Sequence, residues 1–402
     1  MTSTTYQDKI DLPNGWKRVP LGTLFNLEYG RSLSEKERKF GRFPVYGSSG
    51  ILGYHDNALI AGPGLVVGRK GTIGSVFYSE EKFWPIDTTY YAQLLNENVE
   101  VKWLFYKLTH LNLSKLNMSD VVPGLKRELV HSMEIGFPPL LEQHRIATIL
   151  TTVDDAIQRS RQAARETEQL KVGVMQELMT KGIGHTEFRE DPDVGTVPKE
   201  WEVVRFKSII ELIQYGLSYR CDDNYHGTPV LRIPNIVNGS IDTTDLKYIS
   251  LNADEINKYT LHSGDLLFVR TNGQKNLLGR CALFKEYPKG SLFASYLIRV
   301  KIKCDVISPE FILYYTKMDN FRNLIEKYAG GAADGKFNLN TESLKSLVIP
   351  IPSKSEQKQI VEILDAVDRK LSLQRQRTAH YEKIKQGLMN DLLTGRKRVK
   401  VA

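Results

Sequence analysis

The amino-acid sequence predicts an α+β fold in which two mixed α/β domains are separated by two long helices. We expect these helices to form an antiparallel coiled coil, which gives the chain internal pseudo-twofold symmetry. Two observations predict this arrangement. PPLLEQHRIATILTTVDDAI at 138–157 recurs in outline as PSKSEQKQIVEILDAVDRKL at 352–371. A strand-rich stretch with Gly-punctuated turns precedes each copy.

The helical repeat keeps one fixed offset along its whole length. Glu142 aligns with Glu356 and Asp154 with Asp368, each pair being 214 residues apart. The register holds without a gap over the 39 positions that end at Thr180. This period is far longer than the about 20–50 residues of solenoid repeats, so the repeat indicates two copies of one domain-and-helix unit.

The beginnings of the two units also match. The aligned residues are Trp16 with Trp201, 185 apart, and Tyr29-Gly30 with Tyr215-Gly216, 186 apart. Because the offset has grown by 28 at the helix, the second copy carries extra residues in its middle. The ends of each unit are therefore repeated, and the middle differs. Duplication without functional symmetry is the alternative interpretation.

Each repeated helix carries a heptad seam that is apolar at both ends and polar or small in its middle. The seam positions are Ile146, Leu150, Val153, Ile157, Ser160, Ala164, Thr167, Lys171, Val174 and Leu178 in the first copy. In the second they are Ile360, Leu364, Val367, Leu371, Gln374, Thr378, Tyr381, Lys385, Leu388 and Leu392. Neither helix is apolar enough to be stable alone, so we expect each to pack on the other.

The repeated helices have a length suited to spacing two domains. At about 1.5 Å per residue the repeat makes a rod of roughly 58 Å, whereas one turn of B-DNA is about 34 Å. Such a rod could hold two domains on one face of a duplex, more than one turn apart.

Each domain shows a strand, a basic Gly-punctuated turn and a second strand. These segments are 62–79, with strands at 65–67 and 73–78, and 263–285; Arg69 and Arg270 lie in matching places at a strand end. Helical stretches follow at 101–116 and 308–328, then Gly-rich loops at 119–129 and 329–340. Basic side chains beside Thr, Asn and Gln suit DNA, because Arg pairs with guanine, Asn or Gln with adenine, and Lys with phosphate. A solvated hairpin tip is the alternative for either loop alone.

Composition limits the class of protein. At 402 residues the chain is long enough for more than one core, and its 41% hydrophobic and 25% charged content is that of a soluble globular protein. The sequence shows neither a run of about 18 apolar residues nor a secretory signal, so we expect a cytoplasmic protein. Cys221, Cys281 and Cys304 are widely spaced and fit reduced thiols. The net charge of +8 favours polyanionic partners only weakly.

Motifs for catalysis are missing. GGAADGKF at 330–337 resembles a phosphate-binding loop, but Phe337 stands where Ser or Thr must hold Mg²⁺, so Lys336 is better interpreted as a phosphate contact. GRKGTIG at 68–74 lacks the βαβ context of a dinucleotide site. The sequence contains neither an HExxH motif nor a Cys/His cluster, and it lacks the Asn/Asp-Pro-Pro-aromatic stretch of amino-methyltransferases. We expect a non-catalytic binding protein without a metal or cofactor of its own.

The paired domains and helices resemble the specificity subunit of type I restriction-modification enzymes over nearly the whole chain. IGFPPLLEQHRIATIL at 135–150 carries the family's Pro-Pro-Leu-x-Glu-Gln-x-x-Ile pattern. IPIPSKSEQKQIVEIL at 349–364 departs from it by one extra residue and by Ser-Lys in place of Pro-Leu. The openings LPxGWxxVxLG at 12–22 and VPxEWxVVxF at 197–206 are similar to the family as well.

The resemblance implies a division of labour along the chain. It divides the chain into target-recognition domain 1 (1–140), a central spacer helix (141–182), target-recognition domain 2 (183–352) and a C-terminal spacer helix (353–402). Each domain would read half of a bipartite, asymmetric double-stranded DNA target, and the helices would set the spacer. Two modification subunits would bring S-adenosylmethionine, and restriction subunits would bring ATP and Mg²⁺.

Two groups of residues are predicted to carry these interactions. The DNA-binding candidates are Tyr29, Arg31, Arg69, Lys70, Thr72, Lys126, Tyr215, Arg232, Arg270, Thr271, Asn272, Gln274, Lys275 and Lys336. The candidates for partner binding along the coiled coil are Glu142, Gln143, Ile146, Leu150, Val153, Glu356, Gln357, Ile360, Leu364 and Val367. Two alternatives remain open: a two-headed scaffold for protein partners, and an enzyme whose site is dispersed along the sequence.

Overall fold

A computed structural model describes residues 12–116, 124–223, 226–331 and 337–400. The chain divides into two compact units. Unit 1 comprises Met1–Ala163 and Gln374–Ala402, and unit 2 comprises Ala164–Leu373. Each unit therefore contains one α/β domain together with a part of each long helix.

The domain of unit 1 is built on a four-stranded antiparallel sheet. In sheet order its strands are Phe25–Tyr29, Thr89–Leu94, Gly64–Gly68 and Val76–Ser79. A three-stranded sheet, Gly50–His55, Phe43–Gly47 and Trp84–Pro85, and the pair Lys17–Pro20 with Glu134–Phe137 complete the strands. The helices are Val101–Leu111 and Arg127–His131, with 3-10 turns at Leu21–Thr23, Glu35–Glu37 and Leu113–Leu116.

The domain of unit 2 repeats this plan and adds to it. Its four-stranded antiparallel sheet runs Ile210–Tyr215, Leu297–Ile302, Leu266–Val269 and Cys281–Leu283. The three-stranded sheet is Lys247–Ile249, Thr228–Leu231 and Leu292–Phe293, and Glu202–Arg205 pairs with Val348–Ile351. The helices of this domain are Phe206–Ile209, Pro309–Tyr315, Asp319–Tyr328 and Thr341–Ser346.

The domain of unit 2 also contains further short elements. These are the strand pairs Phe188–Asp191 with Gly195–Pro198 and Ile236–Val237 with Ser240–Ile241, and the small sheet Thr271–Asn272, Phe337–Asn338 and Gly330–Gly331. The helix Ala253–Tyr259 and the 3-10 turns Ile233–Asn235 and Lys275–Leu277 are also short elements of this unit. The four-stranded sheet keeps its strand order in both domains, although the sequence repeat fades there.

Local differences from the predicted elements have identifiable causes. The helix predicted over 101–116 ends at Leu111, because Asn112 takes a left-handed conformation with φ 51°, which Asn tolerates better than most residues. The strand predicted over 73–78 begins only at Val76, since Gly74 at φ 73° still belongs to the turn. The helical stretch predicted over 308–328 is two helices, interrupted at residues 316–318.

The long helices are Leu140–Thr180 and Lys354–Leu392, and the second ends at Leu392 rather than extending to the predicted 402. In unit 1 they pack antiparallel, since Asp154 pairs with Lys385 at 2.7 Å and Ser160 Oγ lies 2.9 Å from Thr378 Oγ1. As the residue number rises along the first helix, it falls along the second. The apolar end of this seam is buried in the core of unit 1, where Ile146 and Leu150 join the cluster that contains Met389.

Unit 2 shows the same antiparallel packing from the other ends of the helices. Lys171 pairs with Asp368, which repeats the Lys385–Asp154 pair at the offset of 214. Met179 joins Ile360 and Leu364 in the core of unit 2. The predicted heptad seam and antiparallel coiled coil are thus confirmed within each unit.

A buried Glu-Gln pair at the start of each long helix ties that helix to its domain. Glu142 is 1% exposed and accepts hydrogen bonds from Trp16 Nε1 at 2.9 Å and from Arg398 Nε and Nη2 at 2.7 and 2.8 Å. Its counterpart Glu356 accepts from Trp201 Nε1 at 3.1 Å. It also accepts from the backbone N–H of Ile183 at 2.9 Å and contacts the His185 ring at 3.0 Å.

The neighbouring glutamines make three matched hydrogen bonds to backbone. Gln143 Nε2 donates to the carbonyls of Asn98 and Pro138, and its Oε1 accepts from the Glu100 N–H. Gln357 repeats the pattern with the carbonyls of Val306 and Pro352 and the Ser308 N–H. All four side chains of the two pairs are buried inside their units, which explains why the repeat preserves them.

No helix in the described part of the chain combines the length and apolar character needed to cross a membrane.

The Glu142→Gln variant should be destabilised by about 2 kcal/mol, because it removes a buried carboxylate that accepts from Arg398 and Trp16. Chemical denaturation of the full chain measures the loss. Glu362→Gln is the matched control, since Glu362 is exposed on the second long helix and should change the free energy of unfolding by less than about 0.5 kcal/mol. Equal stability of the Glu142→Gln variant and the control would contradict this role for Glu142.

Candidate nucleic-acid interface

Arg69 is fixed at the end of a strand in unit 1 by its backbone and by its side chain. It follows the strand Gly64–Gly68; its N–H donates to the Thr88 carbonyl at 3.0 Å and its carbonyl accepts from Leu125 N–H at 3.0 Å. The guanidinium donates through Nε at 3.2 Å and Nη2 at 2.6 Å to the Asp87 carbonyl. Its Cζ lies 5.2 Å from the ring centroid of Tyr29, within the range of a cation–π contact.

Arg270 of unit 2 is held in the same way. It follows the strand Leu266–Val269, donates from its N–H to the Tyr296 carbonyl at 3.0 Å, and accepts from Leu339 N–H at 2.7 Å. Its Cζ lies 4.3 Å from the ring centroid of Tyr215. Nη1 donates to the Ser295 carbonyl at 3.4 Å, and Nε and Nη2 both donate to Asn338 Oδ1 at 3.4 Å. We call these matched groupings the arginine nodes: Arg69, Tyr29, Asp87 and Leu125 in unit 1, and Arg270, Tyr215, Ser295 and Leu339 in unit 2.

The glycine after each node tyrosine is required by a close backbone approach. A Cβ on Gly30 would lie 2.1 Å from the Ile86 carbonyl oxygen, and one on Gly216 would lie 2.2 Å from the Phe293 carbonyl oxygen. Each contact is too short for any other residue. The repeated Tyr-Gly dipeptide therefore places the tyrosine ring beside the arginine in both domains.

Tyr90 stays a neutral partner of the Arg69 cation. Burial, together with the neighbouring Tyr29, raises the pKa of Tyr90 to about 12. The Tyr90 hydroxyl donates to the Leu125 carbonyl at 3.0 Å, and its ring centroid lies 5.9 Å from Arg69 Cζ. The buried Tyr90 therefore packs against the node from the interior, whereas Tyr29, which is 52% exposed, faces solvent.

The surroundings of the node in unit 1 are strongly basic. Lys70 and Lys126 are exposed and follow node residues directly in the chain, and Arg127 places its Cζ 5.4 Å from the Tyr29 ring centroid. Thr72 and Arg31 are also exposed. Arg69 and Arg127 thus lie near the ring of the exposed Tyr29, and Arg127 also pairs with Glu128 at 3.3 Å.

The node in unit 2 is surrounded by amide and hydroxyl groups instead. Thr271 and Asn272 lie half-buried in a short strand beside Phe337–Asn338, and Gln274 is exposed. Lys275 lies 3.9 Å from Glu326. Among the described residues, Arg232 makes its hydrogen bonds with Asp245 and Asn235 and has none to the node. Lys336 lies outside the described residues.

Several node residues were missed from the sequence, and one of them could have been found. Leu125 and Leu339 are 214 residues apart, which is the offset of the helices, so extending the alignment upstream past 142 would have paired them. Asp87 and Ser295 contribute only backbone carbonyls, and Arg127 has no counterpart cation in unit 2. These residues leave no signal in the side-chain pattern.

Within the described ranges, no three or more His, Cys, Asp or Glu side chains are grouped so that they could hold a metal ion. Cys221, Cys281 and Cys304 are free thiols, and burial raises the pKa of the Cys281 thiol, so it stays protonated.

Comparison with known sequences and structures identifies the proteins to which the chain is similar. The family profile of the type I restriction modification DNA specificity domain matches residues 13–167 and 198–383. The chain is 28% identical to the type I restriction enzyme MjaVIII specificity subunit of Methanocaldococcus jannaschii, over 84% of this chain and 76% of that protein. It is 27% identical to the EcoKI specificity subunit of Escherichia coli K12, over 62% of this chain and 53% of that protein.

A solved structure shares the fold. The type I restriction-modification S subunit from M. genitalium aligns with a TM-score of 0.61 at 15% identity, covering 98% of this chain and 99% of that one. The two profile matches fall on the two domain-and-helix copies, each of which carries one arginine node and one Glu-Gln pair. The chain belongs to the family of type I restriction modification DNA specificity proteins.

Proposed function

We propose that this chain selects the DNA target of a type I restriction-modification complex. Each domain contacts one half of a bipartite, asymmetric target, and the two long helices set the spacer between the halves. The observation that carries this proposal is the pair of arginine nodes, which share one framework but present different exposed side chains around it. Two reading sites with a common architecture and unlike neighbours suit two unlike half-sites.

The proposed division of the chain follows from the helix bounds. Residues 1–140 and 183–352 form the two target-recognition domains, and 141–182 and 353–402 are the spacer helices with their caps. The helices Leu140–Thr180 and Lys354–Leu392 support these boundaries to within a few residues, apart from the segment after Leu392.

The proposed partners supply the chemistry. Two modification subunits carrying S-adenosylmethionine dock on the helices and adjoining domains, and restriction subunits bring ATP and Mg²⁺. The named relatives are specificity subunits of type I restriction enzymes, which supports this assignment. The chain itself selects DNA and carries out no reaction, and it works in the cytoplasm, where its DNA and partners are.

Replacing Arg69 with Ala should weaken DNA contact at one half-site only, and replacing Arg270 with Ala should weaken the other. Each variant loses one charge-assisted contact of about 1.5 kcal/mol, which is roughly tenfold in affinity. Footprinting of the complex assembled with modification subunits measures protection of each half separately. Loss of protection at both halves from one substitution would count against two independent domains.

Shortening both helices together should shorten the accepted spacer. Deleting 161–167 and 372–378 removes one heptad from each strand of the coiled coil, or about 10.5 Å of rise. At about 3.4 Å per base pair this corresponds to roughly 3 base pairs. Selection of methylated sites from a library of spacer lengths measures the change. An unaltered spacer length would contradict the role of the helices in setting that length. Equal binding of unrelated duplexes by the intact complex would favour the alternative function, a scaffold for protein partners.

A further inference from the structure

The two arginine nodes raise a question about which groups select bases. The target proposed above is asymmetric, so its two halves present different base edges. An arginine that both domains share, at the same strand end and with the same pattern of backbone hydrogen bonds, cannot by itself account for that difference. It suits a feature that both halves share, and the phosphate backbone is that feature.

The hydrogen bonds of the guanidinium groups also favour a contact with phosphate. Reading guanine requires two parallel N–H donors from one edge of the arginine. In Arg69 the Nε–Nη2 edge already donates to the Asp87 carbonyl, and in Arg270 the same edge donates to Asn338 Oδ1. Nη1 of Arg69 makes no hydrogen bond to another described residue. Both N–H groups of Arg69 Nη1 and the second N–H of Nη2 remain, whereas Arg270 also donates from Nη1 to the Ser295 carbonyl at 3.4 Å. Each guanidinium keeps its full positive charge while some of its donors are committed to the protein, which suits a phosphate oxygen.

Side chains next to the shared framework differ in chemistry between the domains. The position after each node arginine is Lys70 in unit 1 and Thr271 in unit 2. The position after each node leucine is Lys126 in unit 1 and Asn340 in unit 2, and both are exposed. Both positions directly follow a residue whose backbone is held in the same way in the two domains, whereas their own side chains differ. A residue that selects a base needs this combination.

We propose that Arg69 and Arg270 contact the DNA phosphate backbone, and that bases are selected by the side chains that differ around the two nodes. This inference rests on the proposed function. The contact of each node arginine with a phosphate fixes the position of its domain along the duplex. Base edges are contacted by Thr271 and its neighbours in unit 2, and by Lys70 and Lys126 in unit 1.

Salt dependence separates a phosphate contact from a base contact. Each phosphate contact contributes about 0.9 to the slope of log affinity against log salt concentration. The Arg69→Gln and Arg270→Gln variants, assembled with modification subunits, should each lower the steepness of that slope by about 0.9. Between 50 and 200 mM salt their loss of affinity should be about 3.5-fold smaller than that of the unaltered complex.

Discrimination is measured on the same variants. Three duplexes serve as probes: the target identified by methylation mapping, and two derivatives with one half-site each replaced by unrelated sequence. The affinity ratio between the intact and the altered duplexes should stay within about twofold of the unaltered complex for both variants, because a phosphate contact is independent of sequence.

Two controls exclude trivial explanations. Arg69→Lys keeps the charge, so its salt slope should stay close to that of the unaltered complex, while thermal unfolding checks that the node still folds. Lys199→Gln removes an exposed charge that pairs with Glu187 beside the strand pair Phe188–Asp191 and Gly195–Pro198 of unit 2, and it should leave the slope unchanged.

Two results would overturn the proposal. A tenfold loss of discrimination with an unchanged slope would make the arginines base readers. An unchanged slope with unchanged discrimination would make them framework residues only. Failure of the unaltered complex to discriminate among the duplexes would contradict the proposed function itself. The salt slope on any of the three duplexes would still test the phosphate contact.

Discussion

The structure depends on the buried Glu-Gln pair that begins each long helix. The glutamate accepts from the tryptophan at the start of its domain and from the segment that follows the end of the other long helix. The glutamine closes three hydrogen bonds to the domain backbone. A buried carboxylate is costly unless every one of these donors is in place, so the domain start, the helix start and the opposite helix end must come together at once. The helix thereby leaves its domain in a fixed direction.

The two copies meet this requirement with different donors. Glu142 binds the permanent cation of Arg398, whereas Glu356 binds the Ile183 N–H and the His185 ring. Tyrosine hydroxyls reinforce both joints, since Tyr106 donates to Asp154 and Tyr314 donates to Asp368. A fixed joint is what a spacer needs, because a loose one would let each domain move along the DNA relative to its helix.

The polar middle of the seam has a separate consequence. The buried Ser160 meets Thr378 and the Gln374 carbonyl, so this stretch contributes hydrogen bonds rather than apolar area. Polar groups inside a coiled coil cost stability but favour one register over others. The apolar ends, which carry Ile146 in unit 1 and Ile360 in unit 2, join the domain cores instead. Pairing of the helices and folding of the domains are therefore coupled.

The sequence predicted the parts of the fold that depend on periodicity. Heptad spacing located both long helices to within a few residues except at the C-terminal end, and glycine-punctuated turns placed Arg69 and Arg270 at strand ends, where the structure has them. The common order of the four-stranded sheets was not predicted, because it is set by backbone pairing between distant strands whose side chains differ. The role of the node was missed for the same reason: its partners at Asp87 and Ser295 are carbonyl oxygens, which every residue possesses. Arg232 was predicted as a DNA contact by residue type alone; it pairs with Asp245 at 2.8 Å, and its contact with DNA stays a prediction.

The proposed function assigns one half of a bipartite DNA target to each domain and the spacer between the halves to the long helices. Methylation mapping of DNA exposed to the chain assembled with its modification subunits tests it most directly. The account predicts methylated sites that share two short defined sequences, unlike each other and separated by a spacer of constant length and free composition. Methylation within a single continuous sequence, or at sites whose spacer varies in length, would contradict it.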